Sequence, residues 1–272
     1  MSRLSRQTIL GVAFLLLACA ALLFVHGRYS VGSPAYPYLT GWGLFAVILF
    51  LSVYNARKKL PFLPLGTSES WLQVHIYLGF FTFLLFVIHL NWRSPRGPFE
   101  AVLALLFLLV SGSGVVGLFL TRTLARRLSS RGGEVLFEKI PGLRHALKTD
   151  AEQLSVGADS RSPMIAEFYT TQLAPFFAAP RNFWLHLAES RRPAGALLME
   201  LEDLLRFATE ADSKTIEKLA TLVRQKNGLD YHRSLQLALR LWLFVHIPLT
   251  YGLLVFIALH VILVFGFSGG AQ

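Results

Sequence analysis

The stretch WLQVHIYLGFFTFLLFVIHL at residues 71–90 contains two histidines, His75 and His89, in an otherwise largely apolar run. A second run, LWLFVHIPLTYGLLVFIALHVILVFGF at residues 241–267, contains His246 and His260 at the same spacing of fourteen positions. Both runs are long enough to cross a hydrocarbon core of about 30 Å. An imidazole in hydrocarbon is costly and is usually retained for function. The two runs therefore predict membrane-spanning helices, and their histidines are the candidate functional residues.

The equal spacing places each pair of histidines on one side of its helix. Fourteen steps of about 100° return to within roughly 40° of the starting direction and rise about 21 Å. If the two helices face each other, the four rings form two stacked pairs, one near each membrane surface. Each pair could hold a haem, whose iron takes one imidazole from each face. This spacing predicts a path for electrons across a membrane.

Other uses of intramembrane histidine compete with this interpretation. A single histidine often hydrogen-bonds between helices. A proton relay needs acidic or polar steps, yet the apolar runs contain no Asp or Glu apart from the flanking Glu100. Zinc or copper would need three or four ligands at one level. A histidine-lined transporter or channel without haem stays open as the alternative.

The amino-acid composition indicates the class of protein and excludes several kinds of site. The 272 residues are 54% hydrophobic, more than ordinary soluble domains, which indicates an integral membrane protein. The single cysteine, Cys19, excludes internal disulfides, thiolate zinc sites and cysteine-bound iron–sulfur clusters. Residues 121–237 carry 17 Lys and Arg against 14 Asp and Glu, whereas the rest of the chain carries nine against two. The positive charge therefore flanks apolar runs, and we expect no nucleic-acid partner.

Five apolar runs are candidate spans, at residues 9–25, 39–54, 71–90, 101–120 and 241–267. The second is slightly short, and the fifth is long enough to cross with tilt. Leu16-Leu17-Ala18-Cys19 resembles a lipoprotein leader, but the run continues to Val25, so we expect an uncleaved span. We predict an all-α bundle of five transmembrane helices with a helical cytoplasmic insert. The domains are residues 1–120, the insert 121–237, and 238–272 with the fifth helix and a short outer C-terminus.

Short basic segments predict the orientation of the chain. One set lies on one side of the spans: Arg3, Arg6, Arg57, Lys58, Lys59, Arg122, Arg126, Arg127 and Arg131. The opposite loops carry only Arg28, Arg93 and Arg96. The positive-inside rule places the N-terminus and insert in the cytoplasm and the C-terminus outside, as in a bacterial inner-membrane protein. The third and fifth spans then run in the same direction. His75 pairs with His246 near the cytoplasm, and His89 pairs with His260 near the outer face.

The insert has the pattern of a helical domain. Amphipathic helices are expected at residues 196–210 and 213–226, with Asn227-Gly228 as a stop and a loop at residues 154–162. Residues 230–240 are expected to lead into the fifth span. The insert contains no cysteine, no G-x-G-x-x-G and no P-loop, so nothing in it predicts its own flavin, nicotinamide or iron–sulfur cofactor. It is either a docking surface for a cytoplasmic redox partner or a scaffold.

Small and charged residues near the histidines are further candidates. Gly79 and Gly252 could leave room for a porphyrin edge, although ordinary helix packing explains them equally well. Pro248 should kink the fifth helix, and Thr250 could satisfy the backbone group that it frees. Haem propionates pair with cations near a membrane surface. The candidates are Arg93 and Arg96 outside and Arg240 and Lys58 inside, although interface anchoring explains each as well.

Two parallel spans that each carry H-x13-H resemble the dihaem membrane cytochromes b. Respiratory cytochrome b subunits use this bis-histidine arrangement, and the ferric-reductase type uses a close variant. Five spans and a mass of 30.4 kDa also resemble the cytochrome b subunits that anchor respiratory oxidoreductases. The resemblance covers mainly the third and fifth spans, and the large insert between them departs from the pattern. It implies that His75, His246, His89 and His260 are the axial ligands of two b-type haems.

The resemblance also implies an activity. The chain would carry electrons as one subunit of an oxidoreductase complex rather than act as a stand-alone enzyme. Its partners would be extrinsic iron–sulfur, flavin or c-type cytochrome subunits, and quinone is a candidate for electron exchange. No flavin or nicotinamide motif accompanies the spans, so a ferric reductase with its dehydrogenase domain in the same chain is not expected.

Overall fold

The computed structural model describes residues 3–30, 32–54, 67–95, 97–130, 135–159, 162–190 and 192–268, and no β-strand occurs within these ranges. Ten α-helices are numbered here in chain order. They are α1 (Arg3–Tyr29), α2 (Tyr36–Ser52), α3 (Ser68–His89), α4 (Pro98–Ser130), α5 (Ile140–Asp159), α6 (Pro163–Phe168), α7 (Ala174–Ala178), α8 (Phe183–Leu187), α9 (Arg192–Leu205) and α10 (Glu210–Ser268). A 3₁₀ turn, Phe137–Lys139, precedes α5, and a π-helical turn, Tyr169–Leu173, joins α6 to α7.

Several of these helices could span a membrane. Stretches of α1, α3, α4 and α10 are long and apolar enough by length and composition, whereas α2 is apolar but has only 17 residues. Large apolar side chains such as Phe14 and Leu17 of α1 are exposed. Continuous exposed apolar surface suits hydrocarbon and not water. The chain is thus an all-helical protein with apolar helices of membrane-spanning length.

The described chain divides into two compact units. The first comprises Met1–Phe119 and Trp242–Gln272, and the second comprises Leu120–Leu241. In the first unit, α3 packs against α1 and α2. The buried core of this unit contains Leu44, Ile48, Leu85, Phe86, Ala104, Phe107, Leu253 and Ile257. The core therefore joins side chains from α2, α3, α4 and the C-terminal part of α10.

Helix α3 has clear signals at both ends. The Thr67 hydroxyl accepts a hydrogen bond from the Ser70 amide at 3.3 Å, which caps the first turn. After His89, the residues Asn91 and Trp92 take left-handed backbone conformations, with φ of 49° and 57°. The Trp92 amide donates back to the Val87 carbonyl at 3.3 Å. A left-handed cap of this kind ends a helix, so His89 lies in the last turn of α3.

Helix α10 continues through Pro248 without a break. Proline lacks an amide N–H, so the carbonyl of Phe244 loses its helical donor. The Thr250 hydroxyl instead donates to the His246 carbonyl at 2.8 Å. The expectation that Thr250 satisfies the freed carbonyl is therefore wrong, because its side chain reaches only the carbonyl four residues before it.

The second unit has its own hydrophobic core. Its buried residues come from α5, the α6–α7 region, α9 and the N-terminal half of α10: Ala151, Ile165, Tyr169, Leu173, Phe176, Phe177, Ala194, Leu201, Ile216, Leu219 and Val223. The expected loop at residues 154–162 is wrong for its first part, because α5 extends to Asp159. Leu154 packs against this core, which favours helix there.

The expected stop at Asn227-Gly228 is also wrong. A glycine inside a helix costs about 1 kcal/mol relative to alanine. Here the side chains on both sides of Gly228 are buried, with Val223, Tyr231 and Leu235 nearly inaccessible. Lys226 and Asp230 also pair across the glycine at 2.5 Å. These tertiary interactions outweigh the local cost and keep α10 continuous.

That ion pair belongs to a buried polar cluster. Lys226 is fully inaccessible and Asp230 is 2% exposed. The Lys226 ammonium also donates to the Ala179 carbonyl at 3.0 Å and lies 4.1 Å from the centre of the Phe176 ring. Arg144 approaches the other carboxylate oxygen of Asp230 at 3.4 Å. Burial lowers the pKa of Lys226, and Asp230 opposes that shift by stabilising the charged form.

In the first unit, α4 and α10 approach closely at Gly117. A Cβ built there would lie 1.9 Å from Cζ2 of Trp242, whose Nε1 donates to the Ser113 carbonyl at 2.7 Å. We expect Gly117→Ala to destabilise the protein by about 1–3 kcal/mol, because the indole must move and its hydrogen bond is strained. Gly112→Ala is the matched control, since a Cβ there meets nothing within 4 Å. Thermal unfolding in detergent tests this, and equal midpoints for the two variants would contradict the close approach.

Lys226→Met should destabilise the second unit by about 3–5 kcal/mol, because it leaves a buried Asp230 carboxylate with one fewer partner. Lys214→Met is the control, since Lys214 is 71% exposed and pairs with Glu210 at 3.4 Å on the surface. We expect the control to stay within about 1 kcal/mol of wild type. Chemical unfolding followed by circular dichroism measures both, and a Lys226→Met protein as stable as the control would show that the buried pair adds nothing.

Candidate functional site

The four histidines of the apolar helices α3 and α10 lie in two pairs within the first unit. The ring centres of His89 and His260 are 6.5 Å apart, with an interplanar angle of 88°. His75 and His246 are close enough to interact electrostatically. The pairs join α3 to α10 at two levels, as the parallel arrangement of the two spans predicts. Iron ligation by these rings stays a prediction.

In one pair, a threonine hydroxyl orients the imidazole of His89. Thr40 of α2 lies 3.2 Å from Nδ1 of His89, oxygen to nitrogen. The same hydroxyl donates its proton to the Pro37 carbonyl at 2.9 Å. Because that proton is engaged, the hydroxyl oxygen must accept from the ring, so Nδ1 carries the hydrogen. The lone pair of His89 is then on Nε2.

In the other pair, a serine hydroxyl does the same for His246. Ser113 of α4 lies 2.6 Å from Nδ1 of His246. Its proton goes to the Val110 carbonyl at 2.8 Å, so this oxygen also accepts from the ring. Ligating histidines usually donate their second ring nitrogen to a nearby acceptor, which fixes the tautomer and the ring direction. Each pair thus contains one imidazole prepared to offer Nε2 as a ligand.

Aromatic side chains fix the other faces of these rings. Trp242 stacks on His246 with ring centres 5.4 Å apart. Phe99 stacks on His260 at 6.4 Å and 13°. The ring centres of Tyr54 and His75 are 5.1 Å apart, and His75 lies near the Leu51 backbone with its Nδ1 buried. His75 and His260 are therefore held by packing more than by hydroxyl groups.

The separation of His89 and His260 is compatible with two imidazoles that bind one metal ion between them. Two rings that bind one metal through nitrogen would have centres about 6 Å apart, allowing about 2 Å for each metal–nitrogen bond. The 6.5 Å separation of His89 and His260 is close to this value. Their near-perpendicular planes are compatible, because each ring can take any rotation about its metal bond. A Cβ built at Gly79 or Gly252 meets nothing within 4 Å, so both glycines border open space.

The cationic residues predicted for the site have other described contacts, are exposed, or fall outside the described ranges. Arg93 is exposed just after α3. Arg240 belongs to the second unit, where it hydrogen-bonds Glu138 and lies over the Phe137 ring at 4.0 Å. This arginine holds the pKa of the Glu138 carboxyl below its usual value. Lys58 and Arg96 fall outside the described residues, as do Arg57, Lys59 and Arg131 of the orientation argument. Propionate binding by Arg93 and Arg240 stays a prediction.

The remaining histidines have other surroundings. His26 hydrogen-bonds the Tyr36 hydroxyl at 3.1 Å. His186 and His232 both lie against the Tyr231 ring in the second unit. Within the described ranges, no group of three or more His, Cys, Asp or Glu side chains is placed to hold a metal ion.

Sequence reasoning missed both orienting hydroxyls. Neither Ser113 nor Thr40 is among the residues that the sequence predicts for the site. A signal for them exists, since each is a hydroxyl residue inside an apolar run. Their partners, however, lie 49 and 133 positions away along the chain, so a single sequence does not connect them.

Comparisons with protein-family models, with curated proteins and with solved structures gave no match.

Ser113→Ala should release His246 from its fixed tautomer, at a cost of about 0.5–1.5 kcal/mol of stability. In ¹⁵N NMR of protein prepared without haem, the His246 ring should change from a single Nδ1–H form to a mixture, while His89 stays unchanged. Thr40→Val should give the reciprocal result. Ser111→Ala on the same helix is the control for both. A fixed His246 tautomer in Ser113→Ala would contradict the assigned hydrogen bond.

Proposed function

We propose that this protein carries electrons across a membrane through two bis-histidine b-type haems, one held by His75 and His246 and one by His89 and His260. The observation that supports this most is the pairing of the four rings at two levels, with one ring in each pair turned by a hydroxyl so that Nε2 is available. The sequence resemblance to dihaem cytochromes b agrees with this pairing.

The proposed topology has five spans, with the short apolar helix α2 as the second. The N-terminus and the Leu120–Leu241 unit would be cytoplasmic and the C-terminus outside, in a bacterial inner membrane. The basic residues of the sequence support this orientation. The His75–His246 pair would then be the cytoplasmic-side site and the His89–His260 pair the outer-side site.

Each haem would supply an iron that gains and loses one electron. The residues of the chain do the remaining work. Two imidazoles at each level would hold each haem and leave its iron no open position, which would favour electron transfer over oxygen binding. Thr40 and Ser113 hold the Nδ1–H tautomer and raise the basicity of Nε2. The apolar core around Leu85, Phe86 and Phe107 excludes water from the space between the levels.

The membrane potential acts on this path directly. Moving one electron across the full potential changes its free energy by about 2.3 kcal/mol per 100 mV. The two pairs lie fourteen helical residues apart, about 21 Å along each helix, so they span most of the hydrocarbon thickness. The direction of flow would therefore depend on partner potentials and membrane polarisation together. Extrinsic redox subunits and quinone are the proposed partners.

Haem quantification and visible spectra of the purified protein test the proposal. Wild type should contain two b-type haems per chain, with a reduced-minus-oxidised spectrum of six-coordinate haem. His89→Ala and His260→Ala should both lose the same haem, and His75→Ala and His246→Ala should both lose the other. Each variant should therefore retain about one haem per chain, and His26→Ala, the matched control, should retain two.

A general loss of folding is separable from a loss of ligation. Added imidazole should restore the missing haem in each alanine variant, because the free ligand can occupy the truncated position. Absence of haem from wild-type protein made with ample haem would overturn the proposal and favour a histidine-lined transporter. Loss of the same haem in His75→Ala and His89→Ala would contradict the assigned pairing.

A further inference from the structure

Two short segments of the second unit, helix α8 and residues 135–139, are hydrogen-bonded to the parts of α4 and α10 that adjoin the apolar spans. The unit begins at Leu120 and ends at Leu241, where the predicted fourth span ends and the fifth begins. Arg127 lies seven residues beyond Leu120, about 10 Å along α4. Its guanidinium donates to the carbonyls of His186 and Leu187 at 2.7 Å each. Helix α8 is thereby held beside the part of α4 that follows Leu120, which is called here the base of α4.

The second segment, residues 135–139, lies beside the part of α10 that precedes Leu241, the base of α10. Gln236 lies five residues before Leu241, about 8 Å along the helix. Its side-chain amide donates to the Val135 carbonyl at 2.7 Å. Arg240, one residue before Leu241, pairs with Glu138 and lies over Phe137. A small core that includes Leu120, Leu124, Leu187 and Leu239 joins the two bases to α8.

Helix α8 and the segment 135–139 both expose large apolar side chains. Trp184 of α8 is 77% exposed, and its neighbour Leu185 and the residue Leu136 are also exposed. Exposed cations lie on the same segments and helix bases: Arg122, Arg126, Lys139 and Arg181. Two acidic residues nearby, Glu138 and Glu189, are engaged by Arg240 and Arg127. These segments therefore combine exposed apolar side chains with a net positive charge, and they contact the parts of α4 and α10 that lie next to Leu120 and Leu241 in the sequence.

We propose that these residues form a lipid-binding collar, in which Trp184, Leu185 and Leu136 enter the headgroup region and Arg122, Arg126 and Lys139 pair with anionic phosphates. Tryptophan prefers the membrane interface because its ring is apolar and its N–H is polar. Each basic residue near an anionic surface contributes about 1 kcal/mol of attraction. The proposal rests on the spans ending near Leu120 and Leu241 and is independent of the haems.

Spin labels on single cysteines test the collar in the full-length protein. Cys19→Ser removes the only native cysteine, and Trp184→Cys is then labelled and reconstituted in vesicles of phosphatidylcholine with phosphatidylglycerol. The control is Phe207→Cys, because Phe207 is 81% exposed and precedes α10. The start of α10 is 31 residues, about 46 Å of helix, from Leu241. The label at 184 should relax more with oxygen than with a water-soluble nickel chelate, and the label at 207 should show the reverse.

Each result has a distinct meaning. Equal access of the nickel chelate to both positions would overturn the collar. Protection of position 184 from both relaxing agents would also overturn it, because a second copy of the chain would then cover the surface. In vesicles of phosphatidylcholine alone, or in the Arg122→Gln, Arg126→Gln background, oxygen access at 184 should fall. An unchanged value would overturn the pairing with anionic phosphates. Haem content, measured on the same samples, reports separately on the electron-transfer proposal.

Discussion

Hydroxyl groups accept hydrogen bonds from two of the four histidine rings in the apolar helices, and these contacts help to organise the first unit. Thr40 and Ser113 accept from His89 and His246, and each passes its own proton to a backbone carbonyl one turn earlier. An unsatisfied donor in such surroundings costs several kcal/mol. The hydroxyls therefore bring α2 against α3 and α4 against α10, and they fix which nitrogen each ring offers to a ligand.

In the second unit, buried charged groups are paired with one another. Lys226 and Asp230 are inaccessible, and their charges are balanced by one another, by Arg144 and by the Ala179 carbonyl. A buried ion pair contributes little net stability compared with a well-packed apolar pair, but removing one partner is costly. The cluster thus links α5, α10 and the segment after α7 through its contacts.

Much of this architecture could be predicted from the sequence because its signals are local and periodic. Apolar run length predicted the helices of the first unit, and the spacing of histidines predicted which faces they occupy. The failures came where distant residues decide. Gly228 lies within a helix because Val223, Tyr231 and Leu235 are buried on a core built from other segments. The partners of Thr40 and Ser113 depend on helix pairing that one sequence does not report. Thr250, by contrast, was misassigned through local geometry, since its hydroxyl reaches the His246 carbonyl and not that of Phe244.

The asymmetry within each pair bears on the order in which the protein is made. Thr40 and His89 both precede α10 in the chain, so one prepared ring exists before its partner His260 is translated. At the other level the order is reversed, because His75 is synthesised early and the prepared ring, His246, arrives late with its acceptor Ser113 already in place. At the level of His89, the ring that is synthesised last is His260, which is held by packing against Phe99. At the level of His75, the ring that is synthesised last is His246, which is oriented by the Ser113 hydroxyl. Neither pair of rings is complete until α10 has been synthesised, because His246 and His260 both lie on that helix.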